Sequence, residues 1–318
     1  MSEHQAMASG RVVKSISGFH TVETSQGSFV AQVPGRLKQE WQSTDIVAVG
    51  DWVTISHLAE ENAVVEEVAE RTAVLARTRP AANARRLDND RQQVLVANPD
   101  QVIFVLSTKT PRYNLRKLDR FLVVAEMNEL PAIIVVNKVD LGKLKKLEAD
   151  FAPYVAIGYQ VLYTSAKEGH GIEAVQALLK GKISVLTGSS GVGKSRLLNA
   201  IQGGLGLKVG SGSDATGKGM HTTRYAELFK LEMGGYVADT PGIRGLALYD
   251  VEPEELDAYF REIAPLVASC QFSDCSHRHE PGCAVRAAIK NGRISPSRYD
   301  SYLRLRTEHE ALENKRGF

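Results

Sequence analysis

The chain has 318 residues, of which 43% are apolar and 24% are charged, and its formal net charge at pH 7 is +2. This balance is that of a folded globular protein and excludes a disordered chain, and so small a net charge does not by itself require a nucleic-acid partner. The length suggests two or three domains. The N-terminal residues lack the pattern of a signal peptide and every apolar run is too short to span a bilayer, so we expect a cytoplasmic protein.

The N-terminal part, residues 1–75, is predicted to form a small β-barrel. It contains the short apolar segments RVVKSI, GSFVAQV, DIVAVGDWVTI and NAVVEEV, which turn residues separate. Short strands at this spacing are typical of small barrels. The pattern fits an oligonucleotide-binding (OB) barrel and a generic small barrel equally well. Residues 76–97 are polar and rich in arginine, and are predicted to be a basic linker.

Residues 98–250 are predicted to form an α/β domain. The buried-strand segments QVIFVLS, PAIIVVN, QVLYTSA and KISVLTG alternate with helical stretches, which are NLRKLDRFLVVAEMNEL and residues 141–151 and 171–179. Apolar strands that alternate with amphipathic helices indicate a parallel sheet covered on both faces. The segments YAELFKL and YVADTPG, with EMGG between them, predict a hairpin on the same sheet.

The tetrapeptide NKVD, residues 137–140, follows the apolar run AIIVV and so lies at the sheet edge where ligands bind in open α/β folds. The Asp140 carboxylate can accept hydrogen bonds from the N1–H and the exocyclic amine of guanine, a donor pair that adenine lacks. A turn-forming Asn and Asp after a strand is the simpler alternative. The tetrapeptide TSAK at the end of the next strand favours the guanine site, where the Ala166 backbone N–H is predicted to meet the guanine O6.

The octapeptide GSSGVGKS, residues 188–195, matches the phosphate-loop pattern G-x-x-x-x-G-K-[ST]. It stands between the apolar strand ISVLT and the helical segment RLLNAI. Glycines allow backbone N–H groups to converge on phosphate oxygens, and the helix N-terminus adds the positive end of its dipole. Lys194 is expected to neutralise the β- and γ-phosphates, and Ser195 to ligate a magnesium ion. The strand–loop–helix setting disfavours a chance glycine-rich turn.

The segment 203–220 contains seven glycines, too many for a packed element, and is predicted to be a mobile switch loop. It ends at HTTR, where either Thr222 or Thr223 can place a hydroxyl on magnesium when the γ-phosphate is present. DTPG then ends a strand, with Asp239 behind the magnesium and the Gly242 N–H near the γ-phosphate. A proline–glycine turn explains DTPG as well. A loop that the γ-phosphate orders is a nucleotide switch.

The order of these motifs is unusual, because the base-reading pair precedes the phosphate loop. A site depends on which strand end carries each loop and not on the order in which the chain visits them. The sequence therefore predicts a circularly permuted GTPase domain in which residues 137–140 and 188–195 lie side by side at one sheet edge.

All three cysteines fall in the segment CQFSDCSHRHEPGC, residues 270–283. An odd, closely spaced set suits a metal site better than a disulfide framework. Three thiolates and one imidazole form a closed tetrahedral set for structural zinc, with His277 and His279 as competing fourth ligands. Three unrelated buried cysteines are the alternative. The surrounding region, 251–318, is mostly helical, and this short segment could hardly hold its fold without metal.

The order NKVD, TSAK, GSSGVGKS, HTTR and DTPG, between a barrel and a cysteine–histidine segment, resembles the RsgA-type small-ribosomal-subunit biogenesis GTPases over nearly the whole chain. The resemblance implies a multidomain α/β protein with an OB-fold barrel (1–75), a basic linker (76–97), a circularly permuted P-loop GTPase domain (98–250) and a C-terminal helical zinc-binding module (251–318). It implies GTP or GDP, magnesium and zinc as ligands. It also implies the small ribosomal subunit and its ribosomal RNA as partners, in late assembly, with hydrolysis stimulated by that particle. We expect a monomer without a membrane partner.

The motifs and the resemblance together give the predicted site residues. Those predicted to bind nucleotide and magnesium are Asn137, Lys138, Val139, Asp140, Ser165, Ala166, Gly188, Ser189, Ser190, Gly191, Val192, Gly193, Lys194, Ser195, Arg196, Thr222, Asp239 and Gly242. Those predicted to be catalytic are Lys194, Thr223 and His221. The resemblance selects His277 over His279, so the predicted metal ligands are Cys270, Cys275, His277 and Cys283.

The predicted mechanism lacks one familiar group. Ile243 follows DTPG, where many regulatory GTPases carry a glutamine that orients the attacking water. Isoleucine cannot do so, which predicts slow intrinsic hydrolysis unless a partner or another residue orients the water. We hypothesise that His221 does; a solvent-facing loop histidine is the alternative.

Two other functions compete with a GTP hydrolase. One is an RNA-binding protein with little hydrolysis of its own. The intact site residues oppose it, and these are Lys194, Ser195, Asp239 and Asp140. The other is an ATP-using transferase, which the guanine selectivity expected of Asp140 opposes.

Overall fold

The structure is a computed structural model, and it describes residues 7–40, 45–59, 62–78, 92–205, 227–239 and 251–316. No helix in these ranges combines the length and the apolar character that a membrane crossing needs. The strands are β1 (Met7–Ile16), β2 (Phe19–Thr24), β3 (Gly27–Gln32), β4 (Trp52–Ala59), β5 (Asn62–Val68), β6 (Val74–Thr78), β7 (Gln92–Ala97), β8 (Gln101–Ser107), β9 (Ala132–Asn137), β10 (Gln160–Tyr163), β11 (Ile183–Thr187), β12 (Leu228–Lys230) and β13 (Tyr236–Asp239). The α-helices are α1 (Gly35–Glu40), α2 (Leu115–Met127), α3 (Leu144–Ala156), α4 (Ile172–Leu179), α5 (Lys194–Ile201), α6 (Ala264–Val267), α7 (Ala284–Lys290) and α8 (Pro296–Arg316).

The first five strands close into a barrel in the order β1-β2-β3-β5-β4, with β4 also paired to β1. The pairs are antiparallel except β3 with β5, which is parallel. Val12, Val22, Ile55 and Val65 fill the interior and are fully buried. This closed five-stranded barrel confirms the predicted barrel and its OB-like class. Within the segment DIVAVGDWVTI, the strand begins only at Trp52, because the chain turns at Gly50.

His20 on β2 points into this barrel interior and is only 6% exposed, and its Nδ1 has no hydrogen-bond partner among the described residues. Burial lowers the pKa of His20 from its ordinary 6.5, and the nearby Asp51 carboxylate opposes that shift without cancelling it. The unfolded chain therefore binds a proton at a higher pH than the folded barrel does.

We expect the barrel to lose stability as the pH falls below about 6.5, the pKa of an unfolded histidine, and to keep that stability above it. Urea unfolding of the full chain between pH 5 and pH 8, followed by tryptophan fluorescence, measures this, because both tryptophans lie between residues 41 and 52. His20→Phe should remove most of the slope. An equally steep slope in that variant would assign the pH dependence to other groups.

The predicted linker, 76–97, begins and ends within β-strands. Its first and last residues belong to β6 and β7, which pair antiparallel as a two-stranded sheet. Val94 and Ala97 on β7 pack with Ala48 of the barrel region. Leu75 and Val96 join the core of the α/β domain. The described ends of this segment therefore connect the barrel to the next domain through packed strands.

The α/β domain contains a six-stranded sheet in the order β10-β9-β8-β11-β13-β12. Neighbouring strands are parallel except for the antiparallel pair β12 and β13, which forms the predicted hairpin. Every residue of β8, β9 and β11 is buried, because α2 and α3 cover one face while α4 and α5 cover the other. The parallel, doubly covered sheet was predicted from those uninterrupted apolar runs.

The barrel contacts the open edge of this sheet at β12. Lys14 on β1 forms both an isolated antiparallel bridge and a 2.9 Å ion pair with Glu227. Glu23 on β2 accepts hydrogen bonds from the Tyr236 hydroxyl at 3.1 Å and from the Lys230 ammonium group. The edge strand that the hairpin exposes is therefore covered by the barrel.

The C-terminal region packs against the α2 face and shares its hydrophobic core. Leu256, Phe260, Val285 and Tyr302 are buried in the same group of residues as Leu118 of α2. Helix α8 accounts for most of the regular structure in this region, with shorter helices before it. This packing confirms a C-terminal helical module and shows that the module shares a hydrophobic core with the α/β domain.

Candidate nucleotide site and metal centre

The base-reading and phosphate-reading motifs meet at the carboxyl edge of the sheet. NKVD begins at the last residue of β9, TSAK follows β10, and the phosphate loop joins β11 to α5. Strand β8 lies between β9 and β11, so the phosphate loop must cross the end of β8 to reach NKVD. The structure brings these segments together although Asn137 and Val192 are 55 positions apart in the chain.

Asn137 joins the two motifs directly. Its side chain is 1% exposed, and its Nδ2 donates to the Val192 carbonyl of the phosphate loop at 3.0 Å. Its Oδ1 accepts from the Ala166 N–H at 3.1 Å and from the Thr164 hydroxyl at 3.3 Å. One buried amide therefore connects the loops after β9, β10 and β11, and its donor and acceptor capacity are both used.

Asp140 and the TSAK loop are held next to each other. The Ser165 hydroxyl donates to Asp140 Oδ1 at 2.6 Å, and the Val139 N–H donates to the Thr164 carbonyl at 3.1 Å. Asp140 itself is exposed, so its carboxylate is oriented on one side and accessible on the other. The Ala166 N–H, predicted to meet the guanine O6, donates to Asn137 in this structure, and an O6 contact would have to share or replace that bond.

Two glycines of the phosphate loop are required by close backbone packing. A Cβ on Gly188 would lie 2.2 Å from the Val105 carbonyl oxygen of β8. Gly193 has a φ of +98°, and a Cβ there would lie 2.5 Å from Asn137 Nδ2. Side chains at these positions would push the loop away from the strand and from the base-reading motif.

Two lysine ammonium groups, one from the phosphate loop and one from NKVD, are held against the loop. The Lys194 ammonium group donates to the Gly188 carbonyl at 2.9 Å and to that of Ser189 at 3.5 Å. The Lys138 ammonium group donates to the carbonyls of Gly191 at 2.7 Å and Thr110 at 2.6 Å. Partial burial, with repulsion from the Arg196 guanidinium, lowers the pKa of Lys138.

The other predicted site residues that the structure describes occupy the same edge. Val192 is buried, while Ser190 and Gly191 are exposed and Ser195 is half-buried in the first turn of α5. Asp239 is the last residue of β13 and pairs with Leu186 of β11, so the strand that precedes DTPG ends beside the strand that precedes the phosphate loop. His221, Thr222, Thr223 and Gly242 lie outside the described residues, as do Ile243 and the predicted switch loop beyond residue 205.

The loop after β8 also contributes to this site, and the sequence did not predict that contribution. The Thr108 N–H donates to the Asn137 carbonyl at 3.1 Å, and the Thr110 carbonyl accepts from Lys138. The Gly191 Cβ position lies 3.3 Å from Pro111 Cδ. No motif marks this loop; its place after a strand at the centre of the sheet is the one signal that could have identified it.

The cysteine–histidine segment forms a compact donor cluster. The ligand atoms of Cys270, Cys275, His277 and Cys283 all lie within 4.8 Å of one another. His277 Nδ1 is 3.6 Å from Cys270 Sγ and 3.5 Å from Cys283 Sγ, and these two sulfurs are 4.0 Å apart. Ligand atoms around tetrahedral zinc are about 3.5–3.8 Å apart, so the four side chains fit such an ion. Burial raises the pKa of the Cys275 thiol to about 12, so metal binding at neutral pH must release its proton.

The other imidazole nitrogen of His277 has a carboxylate partner. His277 Nε2 lies 3.0 Å from Asp257 Oδ2, and both residues are buried. This contact fixes the ring so that Nδ1 faces the thiols, the arrangement typical of a metal-bound histidine. Asp257 precedes the segment by 13 residues, and no motif in the sequence pointed to it.

Family models match most of the chain. The model described as the RsgA GTPase matches residues 68–249, and the RsgA N-terminal domain matches residues 9–65. These two ranges divide the chain close to the end of β5.

Relatives match along nearly their whole length. A protein of Gemmatimonas aurantiaca called small ribosomal subunit biogenesis GTPase RsgA is 44% identical over 302 residues, covering 94% of this chain and 96% of that protein. A Chlorobaculum parvum protein with the same name is 41% identical, covering 93% and 96%. The crystal structure of YjeQ from Thermotoga maritima is 38% identical with a TM-score of 0.78, covering 96% of this chain and 99% of that one. The structure of YloQ, described as a circularly permuted GTPase, is 31% identical with a TM-score of 0.75, covering 98% of each chain.

Proposed function

The chain belongs to the RsgA GTPase family, and from that premise we propose that it hydrolyses GTP in the biogenesis of the small ribosomal subunit. The observation that carries the proposal is the contact between Asn137 and Val192, which joins the NKVD segment to the phosphate loop. A purine held at NKVD would have its phosphates directed to residues 188–195. The two motifs occur along the chain in the reverse of the usual order. They can form one site only if the domain is circularly permuted, and the contact shows that they lie together.

The proposed roles follow from the chemistry of each side chain. Asp140 would accept from the guanine N1–H and amine while Ser165 orients it. The backbone N–H groups of the phosphate loop, with the N-terminus of α5, would hold the β-phosphate. Lys194 would exchange its carbonyl contacts for phosphate oxygens, and so neutralise charge that develops as the γ-phosphoryl group leaves.

Magnesium and zinc are part of the proposal. Ser195 and one of the two switch threonines, with Asp239 behind them, would hold magnesium, which neutralises phosphate charge when bound. Cys270, Cys275, His277 and Cys283 would hold a structural zinc ion, because a closed set of four protein ligands leaves no position for a substrate. Asp257 would keep the histidine in the tautomer that ligates through Nδ1.

Hydrolysis is proposed to depend on the ribosomal particle. Isoleucine at 243 cannot orient water, so the water must be positioned by His221, by the particle or by both. The hypothesis on His221 stays a prediction, because the residue lies outside the described ranges. A requirement for the particle would make GTP hydrolysis a signal that a binding event has occurred. Subunit assembly also implies a cytoplasmic location for that event.

Ribosomal RNA is proposed to bind the barrel and the C-terminal module. On the barrel, Trp52 is 47% exposed and the Arg11 guanidinium lies 4.4 Å from the centre of its ring. An exposed aromatic ring beside a cation is suited to stack on an unpaired base and to contact its phosphate.

Co-sedimentation with purified ribosomal subunits tests this function. We expect the chain to sediment with small subunits in the presence of a non-hydrolysable GTP analogue, and to a smaller extent in the presence of GDP. We expect it not to sediment with large subunits in the presence of either nucleotide. Phosphate release should rise when small subunits are added. Lys194→Ala should lose the nucleotide dependence, whereas Lys145→Ala, an exposed lysine on α3, should keep it. Sedimentation that is indifferent to the nucleotide would contradict the proposal.

A further inference from the structure

Lys117, in the first turn of α2, contacts the phosphate loop although it belongs to none of the nucleotide-binding motifs. Its ammonium group donates to the Ser189 hydroxyl at 3.1 Å. Ser189 follows directly on Gly188, and its own carbonyl accepts from Lys194 at 3.5 Å. The second residue of the loop is therefore contacted by two lysines, one from within the loop and one from α2.

The first turn of α2 is fixed in a way that directs Lys117 toward the loop. Asn114 caps the helix, with its side-chain oxygen accepting from the Lys117 N–H at 3.2 Å. The Lys117 ammonium group also lies 5.4 Å from the centre of the Phe121 ring, one turn further along the helix. The cap holds the backbone and the ring holds the side chain, so the contact to Ser189 costs little conformational entropy when it forms.

Helix α2 is anchored behind this turn by a buried charge cluster. Asp119, 2% exposed, accepts from Arg298 at 2.6 Å, from the Tyr154 hydroxyl at 2.7 Å and from the Ser301 hydroxyl. Arg298 also donates to Glu262 at 2.7 Å. Because α8 carries Arg298 and Ser301 while α3 carries Tyr154, the helix cannot move without breaking several buried hydrogen bonds. Lys117 therefore projects from a rigid support.

We propose that Lys117 is a positioning residue for the phosphate loop: through Ser189 it holds the first half of the loop in the conformation that receives the β-phosphate. The inference rests on the proposed function of this site. Its partner, Ser189, is a loop residue two positions before Gly191. Lys117 acts through Ser189, and it is not placed on the reacting atoms.

Nucleotide affinities of three variants test the proposal. Lys117→Met keeps the aliphatic stem and removes the donor, and Ser189→Ala removes the acceptor. Each substitution should weaken GDP binding about tenfold, which is the loss expected for one hydrogen bond to a charged group. GMP lacks the β-phosphate, so the affinity of each variant for GMP should stay within about twofold of that of the unaltered chain. The double variant should lose no more than either single variant. Lys117→Arg, which retains a charged donor, should recover most of the affinity for GDP.

A matched control is Lys145→Met, at an exposed position on α3, which should leave both affinities unchanged. GDP affinity of Lys117→Met within twofold of the unaltered chain would overturn the inference. So would additive losses in the double variant, or equal losses for GMP and GDP, which would indicate a general structural defect. Failure of the unaltered chain to bind GDP would contradict the proposed function instead, so the two results are distinguishable.

Discussion

Replacing Asp140 with asparagine should change the nucleotide that the protein binds from GTP to xanthosine triphosphate (XTP). GTP affinity is expected to fall at least about 100-fold, because a site built to hydrogen-bond a ligand strongly rejects a partner that leaves its groups unpaired. In the structure the Ser165 hydroxyl donates to Asp140 Oδ1. An asparagine would keep its carbonyl oxygen toward Ser165 and turn its NH₂ group toward the base. That group repels the guanine amine but can donate to the O2 of xanthine.

Competition binding with labelled nucleotides measures this exchange. Ser165→Ala serves as the control, since it removes the orienting hydrogen bond but leaves the carboxylate. It should weaken GTP binding modestly and give no affinity for XTP. Retained preference for GTP in Asp140→Asn would show that the base is not read at NKVD. The chain would then need another base-binding segment.

Removal of one metal ligand should destabilise the C-terminal module. His277→Ala is expected to abolish stoichiometric zinc binding and to lower the thermal midpoint of that module by about 10 °C or more, because metal binding supplies folding free energy of several kcal/mol and each kcal/mol shifts the midpoint by about 2–4 °C. The variant also leaves the Asp257 carboxylate buried without its imidazole partner, which adds to the loss.

His279→Ala is the matched control for this prediction. It removes an imidazole only two residues away from His277, and His279 has no ligand atom in the four-residue donor cluster. Its zinc content, measured by elemental analysis, should remain one ion per chain, and its thermal midpoint should be unchanged. Loss of zinc from His279→Ala with retention in His277→Ala would reverse the ligand assignment.

Much of the fold followed from local patterns. The uninterrupted apolar runs in QVIFVLS and AIIVV predicted buried parallel strands, and both are strands in which every residue is buried. The glycines of GSSGVGKS are local signals as well, since a turn is satisfied within a few residues. The segment 76–97 was harder to predict, because its paired ends depend on a partner strand that the chain reaches only later.

The sequence by itself determined the types of the elements and the chemistry available at each loop, because periodicity, turn residues and ligand spacing act over a few neighbouring positions. Only the tertiary structure decided which loops meet. Asn137 bonded to Val192, Asp257 behind His277, and Lys117 on Ser189 each join segments that are distant in the chain. Such contacts arise from strand order and from helices packed on a shared core, and a short stretch of sequence contains neither.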